Sequence, residues 1–152
     1  MRSGAHEFSE LSSRLTGFSP AELAGTGMVE AHFGTLLEIV GEAHVAALLA
    51  DAPELSVEGL LDDPRFGPLC RNVIVMWYLG QWDQLPADWR RVHGASAGDV
   101  NKVVSAEAYT EGLVWPTIGS HPQAAKQPGF GSWALPPGTG SYGWGSETRV
   151  TL

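Results

Sequence analysis

The chain has 152 residues, of which 43% are apolar and 17% charged, and its 9 basic and 17 acidic side chains give a net charge of -8. A chain this long buries roughly two thirds of the surface its unfolded form exposes, so it builds a core without a disulfide or metal staple, and its single cysteine, Cys70, offers no internal disulfide. Scattered rather than clustered lysine and arginine argue against nucleic acid and anionic membrane as main partners, and no run approaches the roughly 20 apolar residues of a membrane span.

The acidity is confined to the first half: up to Asp63 there are 11 acids against Arg2 and Arg14, and from Pro64 onward 6 acids against 7 bases. The opening Met1-Arg2-Ser3-Gly4-Ala5-His6-Glu7 has neither the apolar core of a signal peptide nor a twin-arginine pair. Cytoplasmic is the default placement, and a periplasmic or exported complex is expected only with a trimmed leader or one carried by a partner.

Phe8, Leu11 and Leu15 keep a helical spacing that stops at Thr16-Gly17, where glycine suits the left-handed residue past a helix end. Ser19-Pro20-Ala21-Glu22 then reads as a capping box, with serine at the cap, proline at the first helical position and glutamate three residues after the cap. One helix is predicted from there, its stripe running through Leu23, Met28, His32, Leu36, Leu37 and Val40 and weakened by Gly25, Gly27 and Gly34. A short helix follows over Glu42 to Ala50, and Ser56 to Leu61 reads as a helical turn ending before Asp63-Pro64.

Phe66 to Gly80 is apolar nearly all round and reads as the core helix; a buried strand is the runner-up because Val73-Ile74-Val75 is β-branched, and length favours the helix. Residues 81 to 104 read as a long polar connection, longer than loops without secondary structure usually are. A last helix is expected from Ser105 to Trp115, broken by Pro116. The fold class is therefore mostly α: a small helical bundle over 8–115, then an irregular Gly/Pro/Trp-rich tail over 116–152.

The chemical motifs fail on context. Gly138-Thr139-Gly140-Ser141-Tyr142-Gly143 has the glycine spacing of a dinucleotide fingerprint, yet it follows Pro136-Pro137 and leaves nine residues before the chain stops, with no strand and helix to flank it. Cys70 has no neighbouring cysteine and reads as a buried helical residue. His6, His32, His44, His93 and His121 never fall at the i, i+3 or i, i+4 spacing of helical metal ligands, and Asp62 and Asp63 have no partner for acid and base work across a cleft. No catalytic residue, cofactor or metal is assigned to this chain.

The tail is too aromatic for a disordered one. Trp115, Phe130, Trp133, Tyr142 and Trp144 are separated by Gly and Pro, so the segment is expected to cover apolar surface in extended form, either its own helices or a groove on another protein.

Trp77-Tyr78-Leu79-Gly80-Gln81-Trp82, Val104 to Tyr109 leading to Gly112-Leu113-Val114-Trp115, Gly119-Ser120-His121-Pro122 and Lys126-Gln127-Pro128-Gly129-Phe130-Gly131-Ser132-Trp133 together resemble the small subunits of the sorbitol dehydrogenase family, which accompany membrane-bound, FAD-dependent polyol and sugar dehydrogenases. The early Leu15-Thr16-Gly17 matches as well, and the small subunits of glucose and fructose dehydrogenases are more distant relatives. The resemblance covers most of residues 8 to 137. It implies a non-catalytic partner: FAD and the catalytic histidines belong to a large subunit of the glucose-methanol-choline oxidoreductase class, whose folding, flavin loading, stability or export the small subunit supports. It leaves room for a cytochrome subunit in the complex.

The interface residues it implies are Trp77, Tyr78, Trp82, Tyr109, Trp115, His121, Lys126, Phe130 and Trp133, with Trp144 added from the extension 138–152, which the resemblance does not reach. A stand-alone helical domain that binds a sugar or other small molecule, with the Trp-rich tail as a lid and Asp and Arg of the 81–104 segment as polar partners, is the competing expectation. A third places Trp115 or Trp133 in the large subunit's substrate channel.

Overall fold

The computed structural model describes residues 3–122, so Lys126, Phe130, Trp133, Trp144 and the Gly138–Gly143 motif lie outside the described residues. The described chain is mostly helical. Helix α1 (Gly4–Thr16) starts at Ser3, whose hydroxyl accepts from the amide of His6, and ends at Gly17 as predicted. It lays Phe8 and Leu11 into the core. The capping box forms in full: Ser19 Oγ accepts from the Glu22 amide at 3.2 Å while the Glu22 carboxylate accepts from the Ser19 amide at 2.8 Å.

The helix begun by that box is shorter than the spacing predicts. Helix α2 (Pro20–Gly25) stops, and α3 (Val29–Val40) begins after Thr26-Gly27-Met28. The cause is local: the Thr26 hydroxyl donates back to the Leu23 carbonyl and accepts from the Met28 amide, closing off the first helix with its own side chain. Helix α4 (Glu42–Asp51) leaves α3 at an angle of 118° at Gly41. A single 3-10 turn (Ala52–Glu54) and α5 (Val57–Asp62), capped by Ser56, lead to the central helix.

That helix, α6 (Gly67–Leu79), packs against α1, α3 and α5 and buries Leu69, Cys70, Val73, Met76 and Trp77. The β-branched run Val73-Ile74-Val75 is helical, as length predicts; its apolar stripe outweighs the small propensity cost of branching.

Residues 81 to 104 are not the irregular connection expected. Strand β1 (Gln81–Trp82), helix α7 (Ala87–His93) and strand β2 (Lys102–Val103) occupy them, with β1 and β2 antiparallel and Gln81 opposite Val103. Two polar side chains replace the missing apolar periodicity. Asn72 of α6 exchanges two hydrogen bonds of 2.9 Å with the backbone of Asp83, and the buried Asp99 carboxylate accepts from Trp82 Nε1 at 2.8 Å and from the Leu85 amide at 3.0 Å. Trp89 fastens α7 by burying its ring and donating Nε1 to the Arg65 carbonyl. The expected final helix is likewise two: α8 (Ala106–Thr110) and α9 (Val114–Thr117), with Pro116 inside the second, in its first turn, where a missing amide breaks no helical bond.

Candidate functional site

Helix α6 ends with carbonyls that its own turn leaves unpaired, and the segments carrying the resemblance supply the partners. The Leu113 amide donates to the Trp77 carbonyl at 2.9 Å, and the Val104 amide donates to the Gly80 carbonyl at 2.8 Å. Both approaches depend on glycine. A Cβ on Gly80 would lie 2.5 Å from the Ala108 carbonyl carbon, at a φ of +66°, and one on Gly112 would lie 2.7 Å from the Tyr78 carbonyl oxygen. Residues 77–82 and 104–115, some 30 positions apart, thus form one glycine-locked unit in which α8 presses on the end of α6.

The aromatic residues of that unit divide into two groups. Trp77 and Trp82 are 1% and 0% exposed, so the expectation that they face a partner is corrected: they belong to this chain's own core. Trp77 lies on the inward stripe of α6, with its ring 4.7 Å from that of His32 in an edge contact, and Trp82 is held inside by its bond to Asp99. Tyr78, Tyr109, Trp115 and His121 are half-buried. The Tyr78 hydroxyl donates to the Thr16 carbonyl at 2.9 Å and its ring meets the edge of Phe18. Trp115 donates Nε1 to the Tyr109 carbonyl at 2.9 Å and stands edge-on to the Tyr109 ring at 5.5 Å.

A groove of about 350 Å³, mostly apolar, opens beside Trp115, with Phe18 and Thr26 on the α2 side and Leu113, Trp115, Pro116, His121 and Pro122 on the other. Trp115 and His121 line it directly. Tyr109 backs Trp115, and Tyr78 backs Phe18. The described chain ends at the groove itself, since Pro122 is part of its lining and the sequence continues from there into residues 123–152.

Phe18 was not singled out from the sequence, although a signal for it exists. It precedes the Ser19 cap and Leu23 stands at the fourth helical position, the arrangement of a hydrophobic staple. Asp99 carries no sequence signal, because its role depends on Trp82 and Leu85, which only the β1–β2 pairing brings to it.

The titratable residues of the interior have been tuned by burial. The Cys70 thiol is pushed up to about 12, far from a thiolate nucleophile at neutral pH, and burial lowers His32 to about 4, so its imidazole is neutral. Among the described residues no group of three His, Cys, Asp or Glu is placed to share a metal ion. The groove's lining comes from residues 18–26 and 110–122, and Asp99 of the 81–104 segment is engaged by Trp82 and, at 3.7 Å, by Arg90. Set against family models, curated proteins and solved structures, the chain matches none.

Proposed function

We propose that this protein is a non-catalytic small subunit of a heteromeric, FAD-dependent alcohol, polyol or sugar dehydrogenase, and that it supports the folding, flavin loading and stability of the large subunit. The observation that carries the reading is the convergence of the resembling segments. Residues 77–82 and 104–122 are separate in sequence, and the elements they form meet to build one unit whose outer side is the groove lined by Trp115 and His121. A half-buried tryptophan beside an apolar groove is the type of residue that anchors interfaces. The chain enters this groove immediately before Lys126 to Trp133, the stretch with the remaining resemblance.

The interface of this proposal is narrower than the one the sequence suggests. Trp77 and Trp82 shape it from inside; Trp115, with His121 beside it and Tyr109 behind it, faces the partner. The test is recovery of the large flavoprotein subunit by the tagged small subunit and by its Trp115→Ala variant, each checked for folding by circular dichroism. Loss of an anchor costs roughly 2 kcal/mol or more, so recovery of the partner falls steeply for a folded variant. Equal recovery would remove the groove from the interface.

A further inference from the structure

A second groove, of about 720 Å³, shares no residue with the first and lies where α1, α3 and α4 meet. Its α4 wall holds Val45, Ala46 and Leu49, at the spacing of a single helical stripe, and its α3 wall holds Phe33 and Leu37. Glu7 and Glu42 stand at its rim. Ala46 is exposed, so another backbone can approach α4 closely there.

Among the described residues, the charged side chains that line this groove, Glu7 and Glu42, are both acidic. Over residues 3–63, Arg14 is the lone lysine or arginine among eleven carboxylates. Its guanidinium is turned onto the backbone, donating to the Ala52 carbonyl at 2.6 Å and to the Leu55 carbonyl. No basic side chain among the described residues engages Glu7 or Glu42.

We propose that this groove docks a short amphipathic helix of a partner protein, with the helix's apolar face on Phe33, Leu37 and Ala46 and its flanking lysines or arginines against Glu7 and Glu42. An apolar floor between helical walls is the form of a helix-in-groove site. The acidic rim selects against a second copy of this chain, whose matching face carries the same charge, and against anionic lipid or nucleic acid. The inference does not depend on the partner being a flavoprotein, and it concerns a different face.

The probe is a dye-labelled synthetic peptide with leucines at i, i+3, i+4 and i+7 and lysines on its flanks, compared with a copy carrying glutamates in place of the lysines. Binding to the full chain is read by fluorescence anisotropy, and the site is mapped by hydrogen exchange. The lysine peptide is expected to bind roughly tenfold more tightly at low salt, with the advantage shrinking as salt is raised, and to protect α4. Glu7→Gln with Glu42→Gln should remove most of that advantage, and Ala46→Arg, on the exposed side of α4, should block the peptide without unfolding the chain. Equal binding of the two peptides, or protection of α8 and α9 in place of α4, would overturn the proposal. So would self-association of the chain abolished by Ala46→Arg while neither peptide binds.

Discussion

Acidification is expected to weaken the fold by about 3 kcal/mol through His32 alone. The residue is 1% exposed and lies edge-on to Trp77, and neither its Nδ1 nor the Trp77 Nε1 has a hydrogen-bond partner among the described residues. Protonating it puts a charge in the core with no carboxylate among the described residues to meet it. Burial lowers its pKa from the ordinary 6.5 to about 4, and each factor of ten in proton affinity is worth about 1.4 kcal/mol.

The sign follows from proton counting. Above pH 6.5 neither the folded nor the unfolded chain binds a proton at this residue, and it contributes no pH dependence. Between 6.5 and about 4 the unfolded chain is protonated while the folded one is not, so stability falls with pH; below 4 the loss is complete and constant. Against the 5–15 kcal/mol typical of a folded domain the effect is large. Urea unfolding followed by circular dichroism at pH steps from 7.5 to 4, for the native chain and for His32→Gln, isolates it, because every other titrating group is common to both. The native chain should lose about 3 kcal/mol more than the variant over this range. Parallel pH profiles would show that His32 takes up its proton equally in the folded and unfolded chains, as it would if water reached it, and would refute the reasoning.

Other perturbations probe the lock at the end of α6. Gly80→Ala adds a Cβ 2.5 Å from the Ala108 carbonyl carbon at a positive φ, so thermal melts should show a loss of about 2 kcal/mol or more; a change under about 0.5 kcal/mol would mean that α8 can step aside freely. Trp82→Phe leaves the buried Asp99 carboxylate without one of its two closest donors, and a double-mutant cycle with Asp99→Asn should give a coupling of about 1–2 kcal/mol; additivity would contradict the bond's role in closing the 81–104 segment. Cys70, buried and with its thiol pushed up to about 12, should react with iodoacetamide only as fast as the core opens, and rapid labelling of the native chain at pH 8 would place it at the surface instead.

Local signals in the sequence were legible wherever a few adjacent residues contained the whole cause. The Ser19 to Glu22 capping box needs four residues, and all four are contiguous; the stop at Gly17 and the apolar faces of α6 are of the same kind. The break between α2 and α3 is not legible, because Gly25 and Gly27 signal only propensity costs while the Thr26 hydroxyl closes the helix. Residues 81 to 104 misled for the opposite reason. Their order comes from Asn72 and Asp99 binding backbone and indole groups 11 to 17 residues away, an arrangement with no periodicity.

The candidate site was legible in part. Trp115 and His121 come from a linear motif and do line one groove, with Tyr109 behind Trp115, but Phe18 on its far side arrives through the packing of α2, and the motif alone does not divide exposed aromatics from buried ones. For Trp77 the clue was present, since it lies four residues after Val73 on the core stripe; for Trp82 it was not, since burial there depends on Asp99.

The most direct test of the subunit proposal is size-exclusion chromatography of the tagged chain from its native host, with absorbance followed at protein and flavin wavelengths and the peak identified by mass. A shared peak that holds this chain and a larger dehydrogenase, carries the two-band visible spectrum of bound flavin and loses that flavin when the small subunit is left out is the predicted result. A colourless, monodisperse peak of the chain alone, beside a large subunit that loads flavin without it, would contradict the proposal.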